Sequence, residues 1–134
     1  NPGSVTLTIG DTTWEFDNFL CAVGLDATRS DVYSLTTNTI GDMDGTQVQL
    51  QATIRDDSGE GRIEGADLVH EIRVDDISDF DNPAVSWSLV SDEGVVLDGY
   101  ELSAEGLFDN DLTPEEDAIP GTLEGTCGDQ SIIP

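Results

Sequence analysis

Apolar side chains fall at every second position in segment after segment of this 134-residue chain. That is the period of a β-strand with one face buried and the other in water. Val48, Leu50, Ala52 and Ile54 alternate with three glutamines and a threonine between Gln47 and Arg55. Val5, Leu7 and Ile9 alternate with threonines, Gly10-Asp11 supplies a turn, and Trp14 and Phe16 resume the alternation, which is the signature of a hairpin. Phe19 to Val23 reads as a third short strand, carrying Cys21. Val32 to Ile40 reads as a threonine-rich strand, with Val32, Ser34 and Thr36 on one face and Tyr33 and Leu35 on the other.

The second half repeats the pattern. Leu68, His70, Ile72 and Val74 share a side, and Asp75 to Pro83 forms an acidic connector. Val85, Trp87 and Leu89 make a strand, Asp92-Glu93-Gly94 reads as a turn into Val95-Val96-Leu97, and Tyr100, Leu102, Ala104 and Phe108 lead toward a last strand ending at Cys127. Thr113-Pro114-Glu115-Glu116 has the ingredients of one helical turn, a capping threonine followed by proline at the first helical position, ended by Pro120. The expected fold is all-β: an antiparallel β-sandwich or partly closed barrel of about eight short strands. Residues 1–134 form one domain, with 1–4 as a linker remnant and 128–134 as a tail.

Composition narrows the setting. The chain is 37% hydrophobic, against the ~45–50% of an average globular chain when glycine is counted. Its alternating segments are still enough for a core. The net charge of −25 arises from 29 acidic residues against four arginines, with no lysine. Such a surface lacks the basic footprint that nucleic acid requires, and anionic membranes repel it. Self-repulsion weakens the compact state at low ionic strength, whereas molar salt shortens the screening length to about 3 Å. The surface therefore suits a salty or divalent-rich medium, and serves equally as a solubilising shell.

Cys21 and Cys127 are the two cysteines. They would stay thiols in a reducing compartment and would pair in a secreted domain. No apolar run approaches the ~20 residues of a membrane-spanning helix, and Asn1 is expected to begin a mature or trimmed form.

Few constellations carry chemistry. The stretch Asp56 to Asp67 fits much of a calcium-loop template, with Asp56, Ser58, Glu60 and Asp67 as oxygen ligands and Gly61 at the sharp bend. Its other reading is an acidic hairpin loop, since the preceding residues alternate as a strand. Asp42-Met43-Asp44-Gly45 is a short acidic turn. Asp57-Ser58-Gly59 spells an aspartic-protease triplet but has neither a second copy nor the apolar residues that would bury it. His70 is the one histidine; it sits in strand alternation, and no Gly-x-Ser-x-Gly elbow offers it a nucleophile. Trp14, Trp87, Tyr33 and Tyr100 all fall within alternating strands, where packing explains aromatics as well as a ligand groove does.

The two ends of the chain carry a resemblance. Val5-Thr6-Leu7-Thr8-Ile9-Gly10 leading to Cys21, with Leu102 to Phe108 and Gly121-Thr122-Leu123-Glu124-Gly125-Thr126-Cys127, resembles the LpqH-type mycobacterial lipoprotein antigens and their relatives in other bacteria. Those are small secreted β domains tethered by a lipidated cysteine upstream of a flexible linker. The resemblance implies a Cys21–Cys127 disulfide and export, and it brings no catalytic residues. The expected function is a non-enzymatic cell-envelope or extracellular domain for surface coating, adhesion or ligand presentation. The alternatives are a subunit of a secreted filament or surface layer built by strand exchange, with the tail after Cys127 and the stretch before Val5 as donors, and a calcium-binding extracellular module. No cofactor other than calcium is expected. The expected partners are a surface ligand, a second copy or divalent cations, with no nucleic acid and no membrane insertion of this segment.

Overall fold

The computed structural model describes residues 3–25, 33–43, 45–56, 64–65, 69–79, 81–98 and 100–128. Among them the chain forms ten β-strands: β1 (Gly3–Ile9), β2 (Thr12–Phe19), β3 (Cys21–Leu25), β4 (Tyr33–Met43), β5 (Thr46–Asp56), β6 (Glu64–Gly65), β7 (Val69–Asp76), β8 (Ser86–Asp98), β9 (Glu101–Asn110) and β10 (Ile119–Thr126). All belong to one antiparallel, curled sheet in the order β2-β1-β10-β9-β8-β7-β5-β4-β3, with the short β6 added to β8. Of the two expected architectures, sandwich and partly closed barrel, the fold is the second, with ten strands where about eight are expected.

One face of each strand turns inward. In the first half of the sheet Leu7 opposes Trp14 on one side and Leu123 on the other, and Leu123 opposes Ala104, which opposes Val95. In the second half Val23, Leu35 and Ile54 form one row, and Thr39, Leu50, Val74 and Trp87 another. Phe16, Phe19 and Phe108 are the largest fully buried side chains. The phase of β4 follows the expected alternation through Leu35, and Thr37 and Thr39 continue the buried face, while Ile40 is exposed. Thr37 is accommodated because its Oγ1 donates to the Leu20 carbonyl at 2.7 Å.

The boundaries differ from the sequence expectation in several places, and β7 and β4 run on through Asp76 and Met43 into the expected connector and turn. Asp92-Glu93-Gly94 is not a turn: β8 runs through it, with register shifts between Leu89 and Ser91 and between Asp92 and Gly94 that accommodate the extra residues as bulges. Thr113 to Glu116 forms successive turns, with Thr113 N–H donating to Asn110 O, Glu116 N–H to Thr113 O, and Thr113 Oγ1 to Glu116 Oε2. These contacts close turns and cap no helix, because residues 111–118 must reverse the chain between β9 and β10. Gly3 and Ser4 are strand residues, opposite Phe19 and Thr126. Phe19 ends β2, so the expected Phe19–Val23 strand is divided at Leu20.

That division closes the structure. β2 and β3 lie at opposite ends of the sheet order yet are separated by one residue, so the chain itself joins the two edges. Beside this junction Cys21 is bonded to Cys127, with Cα atoms 5.5 Å apart and a sequence separation of 106. In the chain-entropy picture, a loop of that length removes enough freedom from the unfolded chain to contribute about 4–5 kcal/mol. Farther along, β2 lies against β4, and Gly41 has no Cβ to obstruct it: an added one would stand 3.0 Å from the Phe16 ring and 3.3 Å from the Glu15 carbonyl. Gly41→Val is expected to destabilise the protein by about 1–3 kcal/mol through overpacking, read from the urea midpoint. An unchanged midpoint would show that β2 and β4 do not pack this closely in solution.

Candidate functional site

The outward faces carry the polar residues left over from the inward alternation. On β7, Ile72 and Val74 point into the core, so Arg73 and Asp75 project outward. The Arg73 guanidinium grips Asp75 as a fork, Nε to Oδ2 at 2.8 Å and Nη2 to Oδ1 at 3.0 Å, with Asp111 Oδ2 at 3.5 Å from the same Nη2. Ser86 Oγ lies 2.8 Å from Asp75 Oδ1 and 3.2 Å from Asp111 Oδ2, and Ser88 Oγ donates to Asp111 Oδ1 at 3.0 Å. The network joins β7 to β8 and to the turn after β9. Partial burial pushes the Asp75 carboxyl up, but hydrogen bonds from Arg73 and Ser86 outweigh it and hold the group below the usual carboxylate range. The hydrogen bond to Asp75 in turn raises Arg73.

Asp76 ends β7 and is 4% exposed. Its Oδ1 accepts from the Ser78 hydroxyl and backbone N–H, and its Oδ2 accepts from the Ala84 N–H at 2.8 Å. The Asp76 N–H donates to Val85 O and the Ile77 N–H to Gln47 O. One carboxylate thus organises the loop between β7 and β8, and Asp79 adds a second such contact by accepting from the Asp81 and Asn82 N–H groups. These are structural roles for residues that read as a plain acidic connector.

The other feature is a groove of about 700 Å³ on the outer face of β1, β10, β9 and β8. Its floor follows the register. Thr6, Glu124, Ser103 and Val96 lie side by side across four strands, with Ser4, Thr126, Glu101 and Asp98 as the next row. Glu101 and Glu105 flank Ser103, so each is a diagonal neighbour of Glu124, roughly 7–8 Å away. None of β1, β2, β8, β9 and β10 carries a basic residue, so the outward carboxylates of these strands have no cation on their own strands. The groove offers hydroxyls, carboxylates and the exposed apolar side chain of Val96, with the buried Leu102 beneath.

Of the residues predicted for sites, Cys21 and Cys127 are brought together as a disulfide. The backbone of Asp56 ends β5, but its side chain and the whole of Ser58, Glu60 and Asp67 lie outside the described residues, as does the Asp57-Ser58-Gly59 triplet. Among the described residues no group of three or more His, Cys, Asp or Glu side chains is arranged to hold a metal. Asp42 closes the β4–β5 turn by accepting from the Gly45 N–H at 3.1 Å, where Gly45 takes φ of 85°. The His70 backbone pairs with Ile54; its side chain and that of Tyr33 lie outside the described residues. Trp14 is in the core, Trp87 packs against it half-buried, and Tyr100 is 43% exposed at the β8–β9 turn. The stretch before Val5 is part of β1 from Gly3 onward, and the tail beyond Gly128 lies outside the described residues. Sequence reasoning missed the Arg73 network and the groove, although the outward phase of Arg73 and Asp75, and of Glu101, Ser103 and Glu105, was there to be read.

Comparison of the chain with known protein families, with characterised proteins and with solved structures finds no match in any of the three.

The hydrogen bonds on Asp76, from the Ser78 hydroxyl first and then the Ala84 and Ser78 N–H groups, hold its carboxyl below its ordinary value. Its charge therefore contributes stability above an unfolded-state pKa near 3.9, and that contribution is lost as the pH falls through the lower folded value. Asp76→Ala is expected to lower the melting temperature by about 5 °C at pH 7 and by less at pH 2. Equal shifts at the two pH values in calorimetry would remove the charge from this account.

Proposed function

We propose that this chain is a non-enzymatic, extracytoplasmic β domain that works as a surface, in coating, adhesion or ligand presentation at the cell envelope. It does so in the manner of the secreted lipoprotein antigens that its ends resemble. The observation that carries the reading is the Cys21–Cys127 bridge: a disulfide buried at the closure of the fold belongs to a protein that matures in an oxidising compartment. Two further features support it. Among the described residues the strands turn most of their apolar side chains to one inward face and leave an outer face rich in threonine, serine, glutamine and carboxylates, which is a surface for contact with water, ions and hydroxyl-bearing molecules. The net charge of −25 keeps such a surface soluble at high ionic strength. No helix among the described residues is long and apolar enough to cross a membrane.

The test is to quench producing cells in acid, block free thiols with a maleimide and fractionate. The reading expects the protein outside the cytoplasm with Cys21 and Cys127 unlabelled. A cytoplasmic protein labelled at both cysteines would overturn it.

A further inference from the structure

Among the described residues the carboxylates are spread unevenly over the strands. β9 alone carries Glu101, Glu105 and Asp109, and Glu124 of β10 lies diagonal to the first two. Along β3, β4 and β5 the acidic residues are Asp42, next to the end of β4, and Asp56, the last residue of β5. Leu35, Thr37 and Thr39 of β4 and Leu50, Ala52 and Ile54 of β5 are buried, so the residues alternating with them stand outward. The register lays these in rows: Ser34 beside Arg55, Thr36 beside Thr53, Asn38 beside Gln51, Ile40 beside Gln49, and Asp42 beside Gln47. The three middle rows carry no charge. Ile40 is 52% exposed there, in mid-strand. Gln49 Nε2 donates to Asn38 Oδ1 at 2.9 Å and Gln51 Nε2 to Gln49 Oε1 at 3.3 Å, an ordered ladder in which each amide keeps unused hydrogen-bonding capacity. Among the described residues Arg55 forms no ion pair, whereas Arg73 is held by Asp75 and Asp111. The nearest β7 carboxylate to Arg55 in the register, Glu71, stands on the diagonal.

We propose that the outer face of β4 and β5 seats a second copy of this chain in a two-fold dimer. Charge selects both the face and the occupant. A copy approaching the groove would set carboxylates on carboxylates, whereas here it meets amides, hydroxyls and an unpaired guanidinium. An axis through the Asn38–Gln51 row, at right angles to the strands, makes the face complementary to itself. Asn38 then meets Asn38 of the second copy and Gln51 meets Gln51, each amide both donor and acceptor. Ile40 comes onto Thr36 of the second copy. The end rows are exchanged, so Arg55 of each copy, set over Gln47, reaches the neighbouring Asp42 of the other. Asp42 Oδ1 accepts from the Gly45 N–H, and Oδ2 takes the guanidinium. The face is about 14 Å across three strands and about 26 Å from Ser34 to Asp42. That is the small end of specific interfaces, so the dimer is weak and reversible. Repulsion between two copies of charge −25 opposes it at low salt. Molar salt shortens the screening length to about 3 Å and removes the long-range repulsion, while a pair in contact keeps more of its attraction.

Sedimentation equilibrium of the full chain in about 1 M sodium chloride, over about 10 μM to about 1 mM protein, tests this. The dimer predicts half-association near about 100 μM, and weaker association by about 10-fold in about 50 mM salt. Arg55→Asp, which turns the end contact repulsive, and Gln51→Glu, which sets two carboxylates together on the axis, each raise Kd by at least about 10-fold. Thr8→Glu, on the outward face of β1, changes Kd by less than about 2-fold. The double variant R55D/D42R, which exchanges the two charges, returns Kd to within about 3-fold of the native value. A native chain that stays monomeric throughout would overturn the proposal and leave the face to a partner other than a copy. So would R55D and Q51E dimers as tight as the native one, or growth beyond the dimer, since a two-fold contact closes on itself.

Discussion

Everything in this fold depends on how one antiparallel sheet is brought round to meet itself. Alternation alone specifies a sheet with a dry face and a wet face, and a curled sheet can bury the dry face on its own concave side. Curling leaves two edges, and this chain joins them by sending β2 to one edge and β3 to the other with Leu20 between them. The cost falls on the junction, where the ladder partner changes from β1 to β4. The Cys21–Cys127 bridge, the Thr37 to Leu20 hydrogen bond and the Gly128 to Phe19 hydrogen bond all gather there. Farther along the seam, where no covalent bond helps, the absence of a side chain on Gly41 lets Phe16 pack close.

The charge distribution follows from the same division of faces. With the inward face of each strand mostly apolar, the described carboxylates fall on the outer face, at strand ends and in the turns. A few are put to structural use. Asp76 collects three donors at the start of the β7–β8 loop, and Asp75 and Asp111 share Arg73 with two serines. Others, among them Glu101, Glu105 and Glu124 across the groove, face solvent on strands with no basic residue. Ions in the medium screen their mutual repulsion.

What the sequence made legible is what periodicity can encode. The buried sets on β5 (Val48, Leu50, Ala52, Ile54) and β9 (Leu102, Ala104, Phe108), and the β1–β2 hairpin with Gly10 at φ of 58°, follow directly from alternation and turn chemistry. Periodicity is blind to topology, so Phe19 to Val23 read as one strand where the chain changes edges. It is equally blind to bulges: the slipped register of β8 let Asp92-Glu93-Gly94 pass for a turn. Local propensity proposed a helical turn at Thr113, but the return from β9 to β10 is short and is made of turns instead. The buried Thr37 and Thr39 carry no hydrophobic signal, and only the continuing phase of β4 identifies their side as inward. The Arg73 network depends on residues from β7, β8 and the turn after β9, a convergence that no local pattern announces.

The central claim is that closure of the sheet rests on the bridge beside Leu20. Equilibrium urea unfolding of the oxidised and the fully reduced protein, at one salt concentration, tests it most directly. The account predicts an oxidised form more stable by about 4–5 kcal/mol, the contribution expected of a loop this long. Equal stabilities for the two forms would contradict it.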